Sequence, residues 1–166
     1  MEAHMVAQRY NLIGPTMEQP QYNMLERSKV EVEYSQIYKT VGLGTTIWSP
    51  LATGVLTGKY NDSFPGDTRL SILGMEWLKD SALAEANLER ARKLTKFSKE
   101  IGLSLPVMAV AWCLKNENVS TVILGASKTS QLEENFKALE AKDKLTVDVM
   151  EKIESILQNK PVRPAY

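Results

Sequence analysis

Cysteine and histidine are nearly missing from this chain, which has one of each, Cys113 and His4, in 166 residues. A single thiol closes no internal disulfide and cannot supply the thiolates of a structural zinc site. One imidazole near the start of the chain leaves a Ser-His-Asp hydrolase or a His-rich metal centre without its parts. Charge of one sign is missing too: Lys plus Arg and Asp plus Glu stand at 20 each, with no long run of either. The electrostatic footprint of nucleic-acid or anionic-membrane binding is therefore absent. No apolar run is long enough to suggest a membrane span. The opening Met1-Glu2-Ala3-His4-Met5-Val6-Ala7 has neither the basic start and long apolar core of a signal peptide nor the Arg-rich character of a transit peptide. Scarce cysteine and no export signal give the expectation of a cytoplasmic protein.

What is present, 43% hydrophobic and 24% charged residues, fits one globular domain spanning 1–166. Good helix formers run from Met1 to Asn11 with no Ser, Thr, Asp or Asn before them, as in the interior of a helix. Gly14 to Met24 reads as a short extended segment limited by Pro15 and Pro20. Val30, Tyr34, Ile37, Tyr38 and Val41 recur at helical spacing, which predicts a helix over Arg27 to Val41 stopped by Gly42. Gly44 to Trp48 is β-branched and aromatic, bounded by Gly44 and Pro50, and reads as a strand. Leu51 to Ser81, with Gly54, Gly58, Pro65 and Gly66, is a long connection with a helical turn near Leu73 to Leu78. Helices follow over Ala82 to Ile101 and Pro106 to Lys115, the second capped by Ser104. Asn118 to Leu124 is the last strand, and the next helix opens on the capping box Ser130-Gln131-Leu132-Glu133. An amphipathic helix over Val147 to Leu157 closes the pattern.

Strands alternating with helices predict parallel βα units. Three predicted strands are too few for a closed barrel and fewer than the usual five or six of an open sheet. The sheet is thus expected to be incomplete, with two open edges, and self-association is expected from them.

Two glycine pairs fail as nucleotide motifs. After Gly42-Leu43-Gly44, the third glycine of a dinucleotide fingerprint would fall at Ile47, and the pair precedes a strand where the fingerprint follows one. Gly58-Lys59 is followed by Tyr60 and has no earlier glycine at Walker spacing. Leu124-Gly125-Ala126-Ser127 is more promising, because small residues at a strand end let backbone amides and a helix start converge on an anion; the plain alternative is a turn. Trp48-Ser49-Pro50-Leu51-Ala52-Thr53-Gly54, with Lys59 and Arg69 beyond it, offers an aromatic plane, hydroxyls, amides and two cations, a set that suits a nucleotide with phosphates. Alone, Trp48 reads equally well as core, and Lys59 or Arg69 as a solvated charge.

Taken in order, four stretches of this sequence resemble the aldo-keto reductase superfamily. They are Glu18-Gln19-Pro20-Gln21-Tyr22-Asn23-Met24, the run from Trp48 through Gly58-Lys59-Tyr60, Ala111-Trp112-Cys113-Leu114, and Leu124-Gly125-Ala126-Ser127 with Gln131, Glu134 and Asn135. The resemblance is closest to the branch containing the β subunits of voltage-gated potassium channels. It implies a (β/α)8 TIM barrel that binds NADP(H), with substrate at the carboxyl ends of the strands. This chain would be the C-terminal half, barrel strands 6 to 8 with their helices and the C-terminal helix. By the same resemblance, Gln19 contacts the nicotinamide carboxamide and Trp48 stacks on the ring. Ser49, Leu51 and Lys59, with Pro50 among them, hold the pyrophosphate region. Gly125, Arg69, Ser127 and Gln131 lie around the adenosine and its 2′-phosphate, and Glu134 and Asn135 meet the adenine edge.

One departure matters. The family's acid-base tyrosine, its lysine and aspartate, and a fourth polar residue lie in the first half of the barrel, for which this sequence has no matching segment. Tyr22, Tyr34, Tyr38 and Tyr60 fall on structural or cofactor-side positions, so no catalytic residue is assigned and the chain alone is expected to be inactive. The reading is an NADP(H)-binding oxidoreductase of carbonyl substrates, awaiting an N-terminal half. Its rivals are a regulatory subunit docked on a potassium channel's cytoplasmic domain and a truncated fragment with no function of its own.

Overall fold

β-Branched residues set between a glycine and a proline extend as expected: β2, Gly44–Ile47, is the central strand of a parallel sheet in the order β1-β2-β3. The computed structural model describes residues 1–74 and 76–162, with the side chains of Arg69 and Glu76 outside the described set. β1 (Met17–Glu18) sets Met17 opposite Gly44 and Glu18 opposite Thr45. β3 (Thr121–Val122) sets Thr121 opposite Thr46 and Val122 opposite Ile47. Both flanking strands are shorter than Gly14–Met24 and Asn118–Leu124 predict. Each has a neighbour on one side only, so no second ladder holds the rest of the segment straight.

The helices are α1 (Glu2–Arg9), α2 (Ser35–Val41), α3 (Glu76–Ala82), α4 (Glu85–Glu100), α5 (Leu105–Leu114), α6 (Thr129–Phe136), α7 (Ala138–Ala141) and α8 (Val147–Leu157). Three local expectations are corrected. The helix predicted over Arg27 to Val41 divides into a π-helical turn, Lys29–Glu33, and α2. There the Tyr34 N–H donates to the Lys29 carbonyl at 3.0 Å, five residues back, across the β-branched Val30 and Val32. Ser104 does not cap α5 with its side chain; its hydroxyl donates to Glu134 at 2.7 Å. The Ser130 capping box does not form, since α6 starts two residues earlier, with Lys128 at the N-cap position. Gly42 ends α2 in the left-handed conformation at φ 68°, as predicted. α3 begins at Glu76, within the helical turn expected near Leu73 to Leu78, and runs on to Ala82; Met75 lies outside the described residues.

α5 is the centre of the core, buried on every side from Val107 to Cys113 and packed by α4, α6, α7 and β3. A helix apolar all round is stable only when covered all round. The Cys113 thiol is fully buried, and that burial pushes its pKa up. Its reaction with a maleimide is expected to be slower than that of a free thiol by at least about a hundredfold, and to become fast in denaturant. Rapid labelling of the folded chain would show that α5 is not enclosed.

A second anchor is ionic. The Arg27 guanidinium grips Glu31 and Glu154 and lies 5.1 Å from the Trp112 ring centre. This fastens α8 to the turn after β1, where Asn159 also donates to the Met24 carbonyl at 2.9 Å. Beside β1, by contrast, Tyr10, Leu12 and Met17 are exposed and Ile13 is 94% so. No single helix among the described residues is long and apolar enough to cross a membrane; α4 and α5 pass by composition only when joined across a 92° bend.

Candidate cofactor-binding site

Parallel strands deliver their carboxyl ends to one edge of the sheet, so the residues that follow β1, β2 and β3 meet there by topology. Gln19 follows β1 directly, Trp48 follows β2, and Gly125 follows β3 within a few residues. Gln19 is exposed, and its main-chain N–H donates to the Glu18 carboxylate at 2.9 Å. The backbone of Trp48 is pinned, its N–H donating to the Pro20 carbonyl at 3.0 Å and its carbonyl accepting from the Tyr22 N–H at 3.2 Å. The Trp48 residue nevertheless stays 43% exposed. Its backbone is held while the residue stays partly open to solvent, unlike a core tryptophan.

The chain after Trp48 is coiled tightly. Ser49, Ala52 and Thr53 have φ of 57°, 47° and 56°, and Gly54 follows at 92°. Left-handed geometry costs a residue with a side chain about 1–2 kcal/mol, so three in five positions must be held by something. The Ser49 carbonyl accepts from the Ala52 N–H at 3.0 Å and from Asn23 Nδ2 at 3.0 Å. The Ser49 hydroxyl accepts from the Thr53 N–H at 3.3 Å, and the Leu51 carbonyl accepts from the Gly54 N–H at 2.9 Å. This leaves the N–H groups of Ser49 and Leu51 with no hydrogen bond among the described residues. Pro50 between them is buried and has no N–H to offer.

Lys59 returns over this loop. A β-carbon built on Gly54 would lie 2.6 Å from Lys59 Cε and 2.9 Å from its Nζ, so the tip of the lysine lies against this glycine, whose φ of 92° already disfavours a side chain. The ammonium is 4.9 Å from the Tyr60 ring centre, and the lysine remains exposed. Arg69 opens a short 3₁₀ turn, Arg69–Ser71, and its side chain lies outside the described residues.

On the β3 side, Gly125, Ser127 and Gln131 are exposed. The N–H and hydroxyl of Ser127 both donate to Gln131 Oε1, at 2.9 and 3.2 Å. Glu134 binds Lys137 and accepts from Ser104, and these two bonds hold its carboxyl below the usual range. Asn135 is buried, one residue on. The structure thus gathers Gln19, Trp48, Ser49 and Leu51 at the ends of paired strands, lays Lys59 over the loop, and sets the Ser127 to Asn135 group after the third strand.

Asn23, in the sequence one residue of the Glu18 to Met24 stretch with no role assigned to it, joins the loops after β1 and β2. Its signal was an Asn at a strand end, the residue type that bonds to backbone amides ahead of it. A groove of about 690 Å3 lies along α4, lined by Asn61, Arg92, Lys96 and Lys99 and by none of the residues named above. Among the described residues, no group of three His, Cys, Asp or Glu is placed to hold a metal.

Parallel strands whose following loops converge at one edge, with helices between them, define an α/β protein, and in barrels of this class the sites lie at that edge. The aldo/keto reductase family model matches residues 2–158, and the chain belongs to that family. It is 47% identical over 163 residues, 98% of its length, to a protein of Oryza sativa subsp. japonica named "Probable voltage-gated potassium channel subunit beta". A protein of Arabidopsis thaliana with the same name is 45% identical over 164 residues, again 98% of this chain. In both cases the match covers 50% of the relative, so the chain spans about half the length of the curated relatives it matches. The three-stranded open sheet is consistent with part of a TIM barrel.

Proposed function

We propose that this chain forms the NADP(H)-binding part of an aldo-keto-reductase-type barrel acting on carbonyl compounds, with β1, β2 and β3 as barrel strands 6 to 8. The observation that carries the reading is the left-handed loop after β2, which combines a partly exposed tryptophan, two unbonded amides and a lysine lying against Gly54. Trp48 would orient the nicotinamide by stacking, and Gln19 would bond its carboxamide. The Ser49 and Leu51 amides and Lys59 would hold the pyrophosphate. Gly125, Ser127 and Gln131, with Arg69, would surround the adenosine phosphate, while Glu134 and Asn135 meet the base. When bound, the reduced cofactor supplies a hydride. The proton donor that carbonyl reduction also needs is assigned to no residue of this chain, so turnover would require a first half of the barrel.

Fluorescence titration with NADPH tests the assignment. Trp48→Ala is expected to weaken binding about tenfold to a hundredfold, since an aromatic stack is worth about 1–3 kcal/mol. Lys59→Ala is expected to reduce the salt dependence of binding as well as its strength. An unmodified chain that does not bind NADPH at millimolar concentration would sink the reading. The relatives' name favours a second one, in which the same pocket serves a subunit docked on a potassium channel's cytoplasmic domain. Co-purification with such a domain, lost when the pocket is mutated, would select it.

A further inference from the structure

We infer that Asn23 is the positioning residue of this site: its side-chain amide fixes the Ser49 carbonyl and thereby holds the turn that presents Trp48 and the free amides of Ser49 and Leu51. The inference rests on the cofactor reading above and adds to it a residue behind the pocket that touches no ligand.

Asn23 is 1% exposed, and each part of its amide is used. Oδ1 accepts from the N–H groups of Leu25 and Glu26, both at 2.9 Å, and Nδ2 donates to the Ser49 carbonyl at 3.0 Å. Two donors face one end and a carbonyl faces the other, so the orientation of the amide is dictated by its partners. The main-chain ladder between the loops ends at the bond from the Tyr22 N–H to the Trp48 carbonyl, and the Asn23 side chain supplies the next rung. Its own base is stiff. The Asn23 and Glu26 backbones bond reciprocally at 3.1 and 3.2 Å, and Asn159 holds the Met24 carbonyl between them. Ser49, by contrast, sits at φ 57°, and apart from the Asn23 bond its own hydrogen bonds, to Ala52 and Thr53, lie inside its loop. Removing the Asn23 donor frees Ser49 to relax to extended backbone, which turns Trp48 and Leu51 away from their present arrangement.

The test uses the full chain, calorimetric titration with NADPH and with adenosine 2′,5′-bisphosphate, and the variants Asn23→Ala and Asn23→Asp. Asp keeps acceptors for Leu25 and Glu26 and loses the donor to Ser49, so it isolates that contact if the alanine variant does not fold. The expected result is a rise of about tenfold in the NADPH dissociation constant, the effect of about one hydrogen bond. Affinity for adenosine 2′,5′-bisphosphate, which engages the β3 side, should stay within about twofold. Equal weakening of both ligands would make Asn23 merely structural and overturn the inference, as would unchanged NADPH affinity in Asn23→Asp. Failure of the cofactor reading shows itself differently, as absence of NADPH binding by the unmodified chain, and it overturns the inference with it.

Discussion

Arg27→Ala is expected to lower the unfolding free energy of the chain by about 3–5 kcal/mol, the loss typical of a buried ion pair deprived of one partner. Arg27 is 5% exposed. Its Nε and Nη2 donate to Glu31 at 2.9 and 3.0 Å, and Nη1 and Nη2 donate to Glu154 at 2.7 and 2.8 Å. Burial works against the charged guanidinium, but the hydrogen bonds and charges of Glu154 and Glu31 outweigh it, and the net pKa is raised. Alanine leaves two carboxylates facing each other beside Trp112, and Glu31 must also still meet the Tyr22 hydroxyl at 2.8 Å. Set against a usual domain stability of about 5–15 kcal/mol, the variant should be largely unfolded by mild heating. Arg27→Lys is not expected to rescue it, because one ammonium cannot make two planar forks. Urea unfolding followed by circular dichroism checks this. A midpoint shift worth under about 1 kcal/mol would mean that the cluster is no stronger than a surface pair.

The second large effect concerns what covers the open sheet. β1 and β3 each pair on one side only, and Leu12, Ile13 and Met17 beside β1 are exposed together with Ile123 after β3. At about 25 cal/mol per Å2, covering a few hundred Å2 of such surface is worth on the order of 5–10 kcal/mol. Adding the first half of a relative's barrel as a separate polypeptide is therefore expected to raise the melting temperature by about 10–20 °C. Alone, the chain should elute from size exclusion as an oligomer. A compact monomer whose melting is indifferent to the added half would refute the idea that this face is a barrel interior.

Much of the fold was legible because local chemistry and tertiary packing agree there. Gly42 stops a helix by its left-handed φ, Gly44 to Ile47 is extended, and the stripe of Ile153 and Leu157 with Val149 and Met150 packs α8 inward. The misses lie where a distant partner outbid a local one. Ser104 had the sequence context of a cap, but Glu134, thirty residues on, takes its hydroxyl. Ser130 had the spacing of a capping box, but α6 starts ahead of it, after Lys128, so Ser130 already lies inside the helix. Asn118 to Leu124 has strand composition, yet the strand proper is Thr121–Val122, with Ser120 and Ile123 adding one bond each to β2. In the candidate site, residue types at strand ends were readable from sequence. The left-handed coil of Ser49, Ala52 and Thr53 was not, because none of these residues is the glycine that normally announces such a conformation. Nor was the passage of Lys59 across Gly54, which depends on how the loop folds back.

The bond between Arg27 and Glu154 also sets a clock. The two residues stand 127 positions apart. At a synthesis rate of about 5–20 residues per second, the guanidinium emerges roughly 6 to 25 s before the carboxylate that completes its shell. Through that interval the turn after β1 cannot bury its charge at full compensation, and closing so long a loop is slow even once both ends exist. The anchor between the turn after β1 and α8 is therefore completed only once α8 has been made.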